Sequence, residues 1–331
     1  MQKIIDFSKC EYSMRHGSYG GMAGDKDGII YNNNFYIIKY PKASRYFKEL
    51  KDISYVTSPL SEYIGSHVYS ILGYDVHETL LGYRNDKIVV GCKDFCENSG
   101  IRLMEMRTIK NGANKELESI LEQQMNSSAT GDRVNLNEQI LHLQYNPTLK
   151  KIDGVTERFW DTAVVDILID NNDRNNGNWG ILLDENANSY KLAPVYDNGN
   201  AFSNKATDTQ LEQYMNEPTL TERLTGSRTA YNYNGKILSA KRLLKTEIPE
   251  LEDAIIRNVP KIQRNMEQIK TFIQEIPEQY DNKFVCSHIR KQYYIAGIET
   301  RMNHLLQPVY EKVIKKQKNN IPSKTSHENR R

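Results

Sequence analysis

One stretch, residues 166–197, constrains the fold of this 331-residue chain more than any other. The end of an apolar helix leads into a polar, asparagine-rich loop that contains Asp173 and Asn178. Two short apolar strands should follow, and the second of them delivers a further carboxylate, Asp197. Residues 173 and 178 are too far apart for one helical face, and their spacing suits the two ends of a tight loop. We therefore predict that the three side chains converge where the hairpin folds back onto the loop.

An acid, an amide and a second acid in one place are the groups that magnesium-dependent phosphoryl transfer requires. The Asp173 carboxylate could orient a hydroxyl nucleophile, while the Asn178 amide oxygen and the Asp197 carboxylate are hard ligands suited to Mg²⁺. Each residue alone could instead belong to an ordinary turn, because Asp caps turns and Asn tolerates the left-handed backbone conformation. That alternative does not explain why the polar loop lies between an apolar helix and an apolar strand. We therefore favour a functional site.

A glycine-rich segment near the N-terminus is a candidate anion-binding loop. It contains four glycines within eight residues, namely Gly17, Gly20, Gly21 and Gly24. Glycine permits positive φ and lets backbone N–H groups approach an anion without interference from a Cβ atom. No Gly-Lys-Ser/Thr opens a helix here, so the segment is not a Walker A motif, and an ordinary flexible loop explains it equally well.

The next segment places a lysine inside an apolar strand. Residues 28–31 and 35–40 are β-rich runs on either side of an asparagine turn, and Lys39 lies in the second run. After a glycine-rich hairpin such a lysine can reach phosphate oxygens, although an outward-facing lysine on an amphipathic strand is the alternative. The helix that follows has Ser58 as its N-cap and carries Glu62, which either pairs with Lys39 or complements the helix dipole.

The order of the periodic segments predicts an α+β fold with two parts. The β-rich runs and one helix form a small lobe over residues 1–97, and helical periodicity dominates a larger lobe over residues 98–311. Residues 312–331 are rich in Lys and Arg, and we predict that they form a disordered basic tail. Within the larger lobe, helices are predicted over residues 113–125, 137–145, 154–170, 248–258, 261–275 and 287–313.

Composition and charge limit the classes of partner and compartment. A net charge of +2 produces no field strong enough to indicate nucleic acid or a membrane surface as a partner. Four cysteines without a framework pattern indicate a reducing compartment, and Cys92-x3-Cys96 lacks the second ligand pair of a zinc site. The N-terminus has no signal-peptide core, and no segment approaches the length of a membrane span. We therefore expect a cytoplasmic protein.

The ordered set of motifs resembles the HipA-like serine/threonine kinases, a bacterial branch of the protein-kinase-like superfamily. The strongest match is Asp170-Asn-Asn-Asp173-Arg-Asn-Asn-Gly-Asn178-Trp-Gly together with Leu192-Ala-Pro-Val-Tyr-Asp197. Weaker matches are Ile38-Lys39-Tyr-Pro41, Glu62 in its helix, and Val90-Gly-Cys-Lys-Asp-Phe95 as the hinge between the lobes. The resemblance extends from about Tyr12 to Val309.

The resemblance implies a bilobal protein-kinase-like fold and an ATP- and Mg²⁺-dependent serine/threonine kinase that autophosphorylates, with Ser18 as the nearest candidate acceptor. It also implies a role for each matching residue. Asp173 would orient the substrate hydroxyl, Asn178 and Asp197 would hold Mg²⁺, and Lys39 would neutralise the ATP phosphates. The remaining nucleotide-binding residues would be Gly20, Gly21, Gly24 and Lys26 over the phosphates, Glu62 beside Lys39, and Lys93, Asp94 and Phe95 at the adenine.

Two other function classes share the same core, a small-molecule or lipid phosphotransferase and a nucleotide-binding pseudokinase that acts by interaction. The expected partners of a kinase are ATP and a protein with a Ser or Thr acceptor, without a membrane or nucleic acid. Full-length HipA toxins carry an extra N-terminal subdomain, whereas this chain begins almost at the glycine loop. We therefore expect no DNA-bound toxin–antitoxin assembly, and a resemblance to short stand-alone members leaves export to a host cell by a specialised route open.

Overall fold

The chain folds into a β-rich N-terminal part and a mainly helical C-terminal part, and the computed structural model describes residues 2–15, 26–41, 57–129 and 131–320. The predicted glycine loop and Ser18 lie outside the described residues. No helix within the described ranges is long and apolar enough to cross a membrane. The predicted lobe boundary at residue 97 stays a prediction.

The N-terminal part is a five-stranded sheet. Its strands are β1 (Ile5–Asp6), β2 (Lys26–Tyr31), β3 (Asn34–Lys39), β4 (Thr79–Arg84) and β5 (Lys87–Lys93), in the spatial order β1-β4-β5-β3-β2. Strands β2 and β3 are antiparallel, and Asn32 and Asn33 connect them with positive φ angles of 48° and 62°. Asparagine tolerates this conformation, which a two-residue hairpin of matching twist requires. The register places Lys26 directly opposite Lys39.

A short segment before the glycine loop extends this sheet. Ser13 donates its backbone N–H to Gly28 at 2.8 Å, and Ile30 donates to Glu11 at 2.9 Å. The segment around Glu11–Ser13 and strand β2 are therefore paired arms, and residues 16–25 connect them.

Helix α1 (Ser58–Ile71) packs its apolar face against the sheet. Leu60, Ile64 and Val68 recur at helical spacing and are at most 2% exposed. Ser58 was predicted to be the N-cap, but Thr57 occupies that position and makes no side-chain capping bond. Pro59 at the second helical position fits the first turn without losing a hydrogen bond.

Two small sheets and a set of helices form the C-terminal part. The first sheet contains β6 (Ile101–Glu105), β8 (Gly180–Asp184) and β9 (Ser189–Leu192), and the second contains β7 (Val134–Asn135), β10 (Arg228–Tyr233) and β11 (Lys236–Ser239). The described helices are α2 (Met106–Leu121), α3 (Leu136–Tyr145), α4 (Val155–Ile169), α5 (Asp208–Met215), α6 (Leu220–Thr225), α7 (Ala240–Leu243), α8 (Pro249–Glu275), α9 (His288–Arg301) and α10 (Gln307–Asn320). A hairpin of β12 (Gln279–Tyr280) and β13 (Lys283–Phe284) precedes α9.

Helix α4 forms the centre of the C-terminal core, as its pattern predicts. The predicted inward residues are all at most 4% exposed, namely Phe159, Ala163, Val164, Ile167 and Leu168. The helix ends because Asp170 adopts the left-handed conformation with φ of 59° and directs its N–H back to the last turn. The polar loop of residues 170–178 therefore begins at a fixed point on a rigid helix.

The predicted bounds of helices α2 and α8 are wrong. Helix α2 begins at Met106 rather than at residue 113. Helix α8 continues through Pro260 instead of breaking there, because its buried stripe runs on through Val259, Ile262 and Ile269 and packing outweighs one lost hydrogen bond.

The predicted disordered tail is also wrong over residues 312–320. Helix α10 includes this segment, Val313 is 3% exposed, and Lys316 pairs with Glu252 at 2.9 Å. These contacts anchor the basic segment to α8. Residues 321–331 lie outside the described part of the chain.

Candidate active site

The polar loop after α4 is held closed by its own side chains. Asn178 donates its Nδ2 to the carbonyl oxygen of Asp173 at 2.6 Å. Asn175 donates to the Asp173 carboxylate at 3.1 Å and accepts the N–H of Gly177 at 2.8 Å. The two ends of the loop therefore meet, as the five-residue spacing predicts, and the carboxylate of Asp173 has a defined orientation.

Arg174 connects this loop to the segment that carries Asp197. The guanidinium is buried, and its Nε donates to Asp166 Oδ2 at 2.9 Å. Its Nη1 donates to the carbonyl of Asn178 at 2.8 Å and to that of Tyr196, and its Nη2 donates to Asn198 Oδ1 at 2.5 Å. Burial alone would lower the pKa of Arg174, but the adjacent Asp166 carboxylate outweighs it and raises that pKa. A planar guanidinium with several fixed donors suits this bridging position.

Asp197 reaches the site by a route that differs from the prediction. The second strand of the hairpin, β9, ends at Leu192, so Asp197 does not lie at a strand end. A parallel bridge between Val76 and Val195 supports the segment instead. Asp197 adopts a positive φ of 60°, a conformation that Asp tolerates and that is common at functional sites.

Lys39 makes two ion pairs, and the one with Asp197 joins the two parts of the chain. Its ammonium lies 2.8 Å from Glu62 Oε2 and 2.9 Å from Asp197 Oδ1. Of the two alternatives for Glu62, the structure therefore shows the pair with Lys39. Burial alone would lower the pKa of Lys39, but Asp197 and Glu62 outweigh it and hold that pKa well above its ordinary value. Lys39 is therefore a permanent cation in the cleft.

The Asp173 carboxyl lies in a half-buried position near Asp197. Burial raises its pKa above the ordinary value, the hydrogen bond from Asn175 opposes that shift, and the negative charge of Asp197 adds to it. The two carboxylates are thus close enough to repel each other electrostatically. A raised pKa is the adjustment expected of a carboxylate that exchanges a proton with a substrate.

A second lysine lies on the same face of the sheet as Lys39. Lys26 pairs with Lys39 in the β2–β3 register, and side chains of directly opposed residues share one face. Burial and the charge of Lys39 lower the pKa of Lys26. The predicted phosphate-binding glycines, Gly20, Gly21 and Gly24, lie outside the described residues. Of the four residues predicted to lie over the phosphates, the structure therefore describes Lys26 alone.

The predicted hinge begins at the last residue of strand β5, Lys93. Lys93 and Asp94 donate their backbone N–H groups to Glu78 at 2.9 Å and Phe35 at 2.8 Å, so these two N–H groups are committed within the protein. The Asp94 carboxylate is buried and pairs with Arg15 at 2.7 Å. Asp94 therefore stabilises the hinge through its side chain.

The third hinge residue lies beside the segment that carries Asp197. The Phe95 ring centroid is 5.7 Å from that of Tyr196. Adenine recognition at this hinge stays a prediction, with the carbonyl groups and Phe95 as its candidates.

Several residues that organise the site were not among the predicted ones. They are Asp166, Arg174, Asn175, Asn198 and His77. A usable signal existed for Asp166, because an acid in an otherwise apolar helix requires a buried partner. Asn175 hydrogen-bonds within its own loop, whereas Asn198 and His77 reach the site through tertiary packing.

The Arg174–Asp166 pair gives the first testable prediction. Arg174→Ala should lower the free energy of unfolding by about 3–5 kcal/mol, because it leaves a buried carboxylate without its partner. Urea unfolding measures this loss. As a control, Arg102→Ala removes an exposed pair with Glu185 at 2.9 Å and should cost less than about 1 kcal/mol. Similar losses in both variants would show that Arg174 does not hold the site together.

The groups in this cleft fit a nucleotide and a divalent ion. Because Nδ2 of Asn178 is bonded to Asp173, its amide oxygen is the end that can face a metal. The Asp197 side chain is 38% exposed and so remains accessible to a ligand. Carboxylate and amide oxygens suit Mg²⁺, and the ammonium groups of Lys39 and Lys26 suit phosphate oxygens.

Comparisons with known proteins bear on the family and the fold of the chain. No protein-family model matches the chain. The curated serine/threonine-protein kinase CtkA of Helicobacter pylori is 31% identical over 320 residues, which cover 94% of this chain and 89% of that relative.

Two solved structures resemble most of the chain. The crystal structure of a Helicobacter pylori proinflammatory kinase CtkA superposes with a TM-score of 0.79 at 28% identity, covering 95% of this chain and 99% of that one. The match confirms the predicted α+β kinase fold. HipA in a complex with HipB and operator DNA from Shewanella oneidensis matches with a TM-score of 0.51 at 12% identity, covering 88% of this chain and 67% of that one. This second likeness concerns the fold alone.

Proposed function

The chain belongs to the family of the serine/threonine-protein kinase CtkA, and we propose that it transfers the γ-phosphoryl group of ATP to Ser or Thr hydroxyls of proteins. Its fold resembles that of HipA. The reaction depends on Mg²⁺ and takes place in the cleft between β3, α1 and the loop of residues 170–178. The observation that carries this proposal is the position of Lys39, whose ammonium bonds both Glu62 and Asp197. A cation is thereby fixed beside the proposed metal ligand.

Each side chain then has one role in the transfer. Asp173 accepts a hydrogen bond from the acceptor hydroxyl and takes its proton as the new O–P bond forms. Lys39 and Lys26 offset the negative charge of the phosphates, and ADP leaves as the bridging P–O bond breaks. Asn178 and Asp197 are the residues that would hold Mg²⁺, which supplies charge neutralisation at the phosphates when bound. Catalysis is mostly positioning and electrostatics, since the transition state is loose.

The proposed place of the nucleotide follows from the sheet. The phosphates would lie next to Lys26 and Lys39, and the contribution of Gly20, Gly21 and Gly24, which lie outside the described residues, stays a prediction. The adenine would then lie at the hinge of Lys93, Asp94 and Phe95. Autophosphorylation at Ser18, the absence of a DNA-bound assembly, and export stay predictions.

The proposal is tested by incubating the protein with labelled ATP, Mg²⁺ and a generic acceptor such as myelin basic protein. Label on Ser or Thr of the acceptor or of the kinase itself, absent without Mg²⁺, is the expected result. Label on small acceptors alone would indicate a small-molecule phosphotransferase. Stabilisation by ATP in a thermal shift assay without turnover would indicate a nucleotide-binding protein that acts by interaction.

Lys39→Met gives a second prediction. Turnover should fall by about two to three orders of magnitude, because a charge next to the transferring phosphoryl group is lost. The fold should persist, with a loss of no more than about 2 kcal/mol, since Glu62 keeps donors from His77 and Asn198. Steady-state kinetics and urea unfolding of the same preparation separate the two effects.

Lys87→Met, at the start of β5, is a suitable control because it removes a strand lysine away from the cleft. If Lys39→Met unfolds the protein while Lys87→Met does not, Lys39 is a structural residue and its proposed role is wrong.

A further inference from the structure

His77 lies outside the groups assigned to nucleotide or metal, yet it contacts one of them directly. It belongs to the short connection between α1 and β4 and is 6% exposed. Its Nε2 lies 2.9 Å from Glu62 Oε1 and 3.1 Å from the Ser66 hydroxyl. Because an ionised carboxylate only accepts hydrogen bonds, the ring proton belongs on Nε2. His77 thus donates to Glu62 inside the protein.

Both oxygens of the Glu62 carboxylate are engaged by donors from different segments. Oε2 accepts from Lys39 at 2.8 Å, while Oε1 accepts from His77 and from the backbone N–H of Asn198 at 2.9 Å. Glu62 is 1% exposed, so water cannot replace a lost donor. Burial raises the pKa of Glu62, but Lys39 and His77 outweigh it and keep that pKa below its ordinary value.

The backbone of the same connection also supports the segment that carries Asp197. His77 donates its N–H to Val195 at 3.0 Å, and Val195 donates to Asp75 at 2.9 Å. Val195 is two residues before Asp197. His77 therefore supports both partners of Lys39. Its ring bonds the Glu62 carboxylate, and its backbone bonds the segment that carries Asp197.

We propose that His77 is a positioning residue for phosphotransfer, whose Nε2–H holds the Glu62 carboxylate in the orientation that keeps Lys39 at the phosphates. This inference rests on the proposed kinase function for its kinetic consequence, but its structural part stands independently. Without the Nε2–H donor, Oε1 keeps a single donor, and the buried carboxylate can rotate away from Lys39. The Lys39 ammonium would then be held by Asp197 alone.

A metal site is the competing interpretation of the same residues. One ligand atom from each of Glu62, His77 and Cys92 lies within 4.8 Å of the others. However, three N–H donors already occupy the carboxylate, and the Lys39 ammonium would repel an added cation. Burial also raises the pKa of Cys92 far above its ordinary value, which disfavours the thiolate that a metal ion would require. We therefore interpret the contact between Glu62 and His77 as a hydrogen bond and not as part of a metal site.

Two matched substitutions test the inference. Gln places its amide nitrogen near the position of the imidazole Nε2, whereas Asn places it near Nδ1, so His77→Gln keeps the donor and His77→Asn withdraws it. His77→Asn should lower kcat about 10- to 100-fold with a smaller change in KM for ATP, and His77→Gln should stay within about threefold of the wild type. His142→Asn, in a buried histidine of α3, controls for the general cost of losing a buried ring.

A second readout does not depend on activity. Hydrogen–deuterium exchange of residues 58–71 and 193–198 should increase in His77→Asn, and should stay near wild-type levels in His77→Gln and His142→Asn. Equal activity and exchange in the Gln and Asn variants would overturn the proposal, whether both are impaired or both are normal. If the wild-type protein transfers no phosphate, the proposed function fails, and the exchange pattern alone still decides whether His77 positions Glu62.

Discussion

Asp173→Asn is expected to lower phosphotransfer by about two to four orders of magnitude while leaving the affinity for Mg·ATP within about threefold of the wild type. The amide retains the size of the carboxylate and can still contact Asn175, but it cannot accept a proton from the substrate hydroxyl. General-base catalysis by a positioned side chain contributes about this much to a rate. Single-turnover transfer from labelled ATP measures the chemical step, and calorimetric titration with Mg·ATP measures binding.

The exposed Asp153 provides the control, since Asp153→Asn removes a carboxylate of the same kind away from the cleft. Unchanged transfer in Asp173→Asn would contradict the assignment, and so would a parallel loss of Mg·ATP binding. The wild-type pH profile adds a check. Because burial and Asp197 raise the pKa of Asp173, its carboxylate is lost on acidification at a higher pH than an ordinary Asp. Transfer should therefore decline on the acid side at a pH above about 4.

Asp197→Ala should abolish both magnesium-dependent ATP binding and turnover, with a loss of at least about three orders of magnitude in kcat/KM. The substitution removes the one charged ligand proposed for Mg²⁺ and also one of the two carboxylates that hold Lys39, which lies 2.9 Å from Asp197 Oδ1. Calorimetric titrations with ATP in the presence and absence of Mg²⁺ separate the metal-dependent part of binding from the rest.

Asp197→Asn is the matched variant, because it keeps an oxygen ligand but not the charge. It should retain weak Mg·ATP binding that improves at higher Mg²⁺ concentration. An Asp197→Ala protein with wild-type Mg·ATP affinity would show that the metal is held elsewhere. The result would leave the fold assignment untouched and would remove Asp197 from the site.

The contact between Asp173 and Asn178 could be predicted because it depends on local chain geometry. A helix end followed by a five-residue loop leaves little freedom for where these two residues meet. The β2–β3 hairpin was predictable for the same reason, since asparagine accepts the positive φ that its turn requires.

The Lys39–Glu62 pair could be predicted only as one of two alternatives. Its formation depends on how α1 rotates against the sheet, and periodicity alone does not determine that rotation. The predicted route of the chain to Asp197 was wrong because it depends on the Val76–Val195 bridge, which joins segments more than a hundred residues apart. Such a bridge has no local sequence signal.

The roles of Arg174, His77 and Asn198, which hydrogen-bond the segments of the site to one another, could not be assigned from the sequence. Arg174 follows Asp173 directly, but its side chain turns inward because Asp166, one turn from the end of α4, is buried and requires a cation. His77 and Asn198 both donate to Glu62, which accepts hydrogen bonds from three separate segments of the chain. The last part of helix α10, residues 312–320, was predicted as disordered because its composition is charged, whereas its contact with α8 is a tertiary effect.

A crystal structure of the protein with Mg²⁺ and a non-hydrolysable ATP analogue tests the central claim most directly. We predict a magnesium ion bound by Asn178 Oδ1 and the Asp197 carboxylate at about 2.0–2.1 Å, with Lys39 on the phosphates and the terminal phosphate facing Asp173. A nucleotide bound outside the cleft between β3, α1 and this loop would contradict the account, as would a metal held by neither Asn178 nor Asp197.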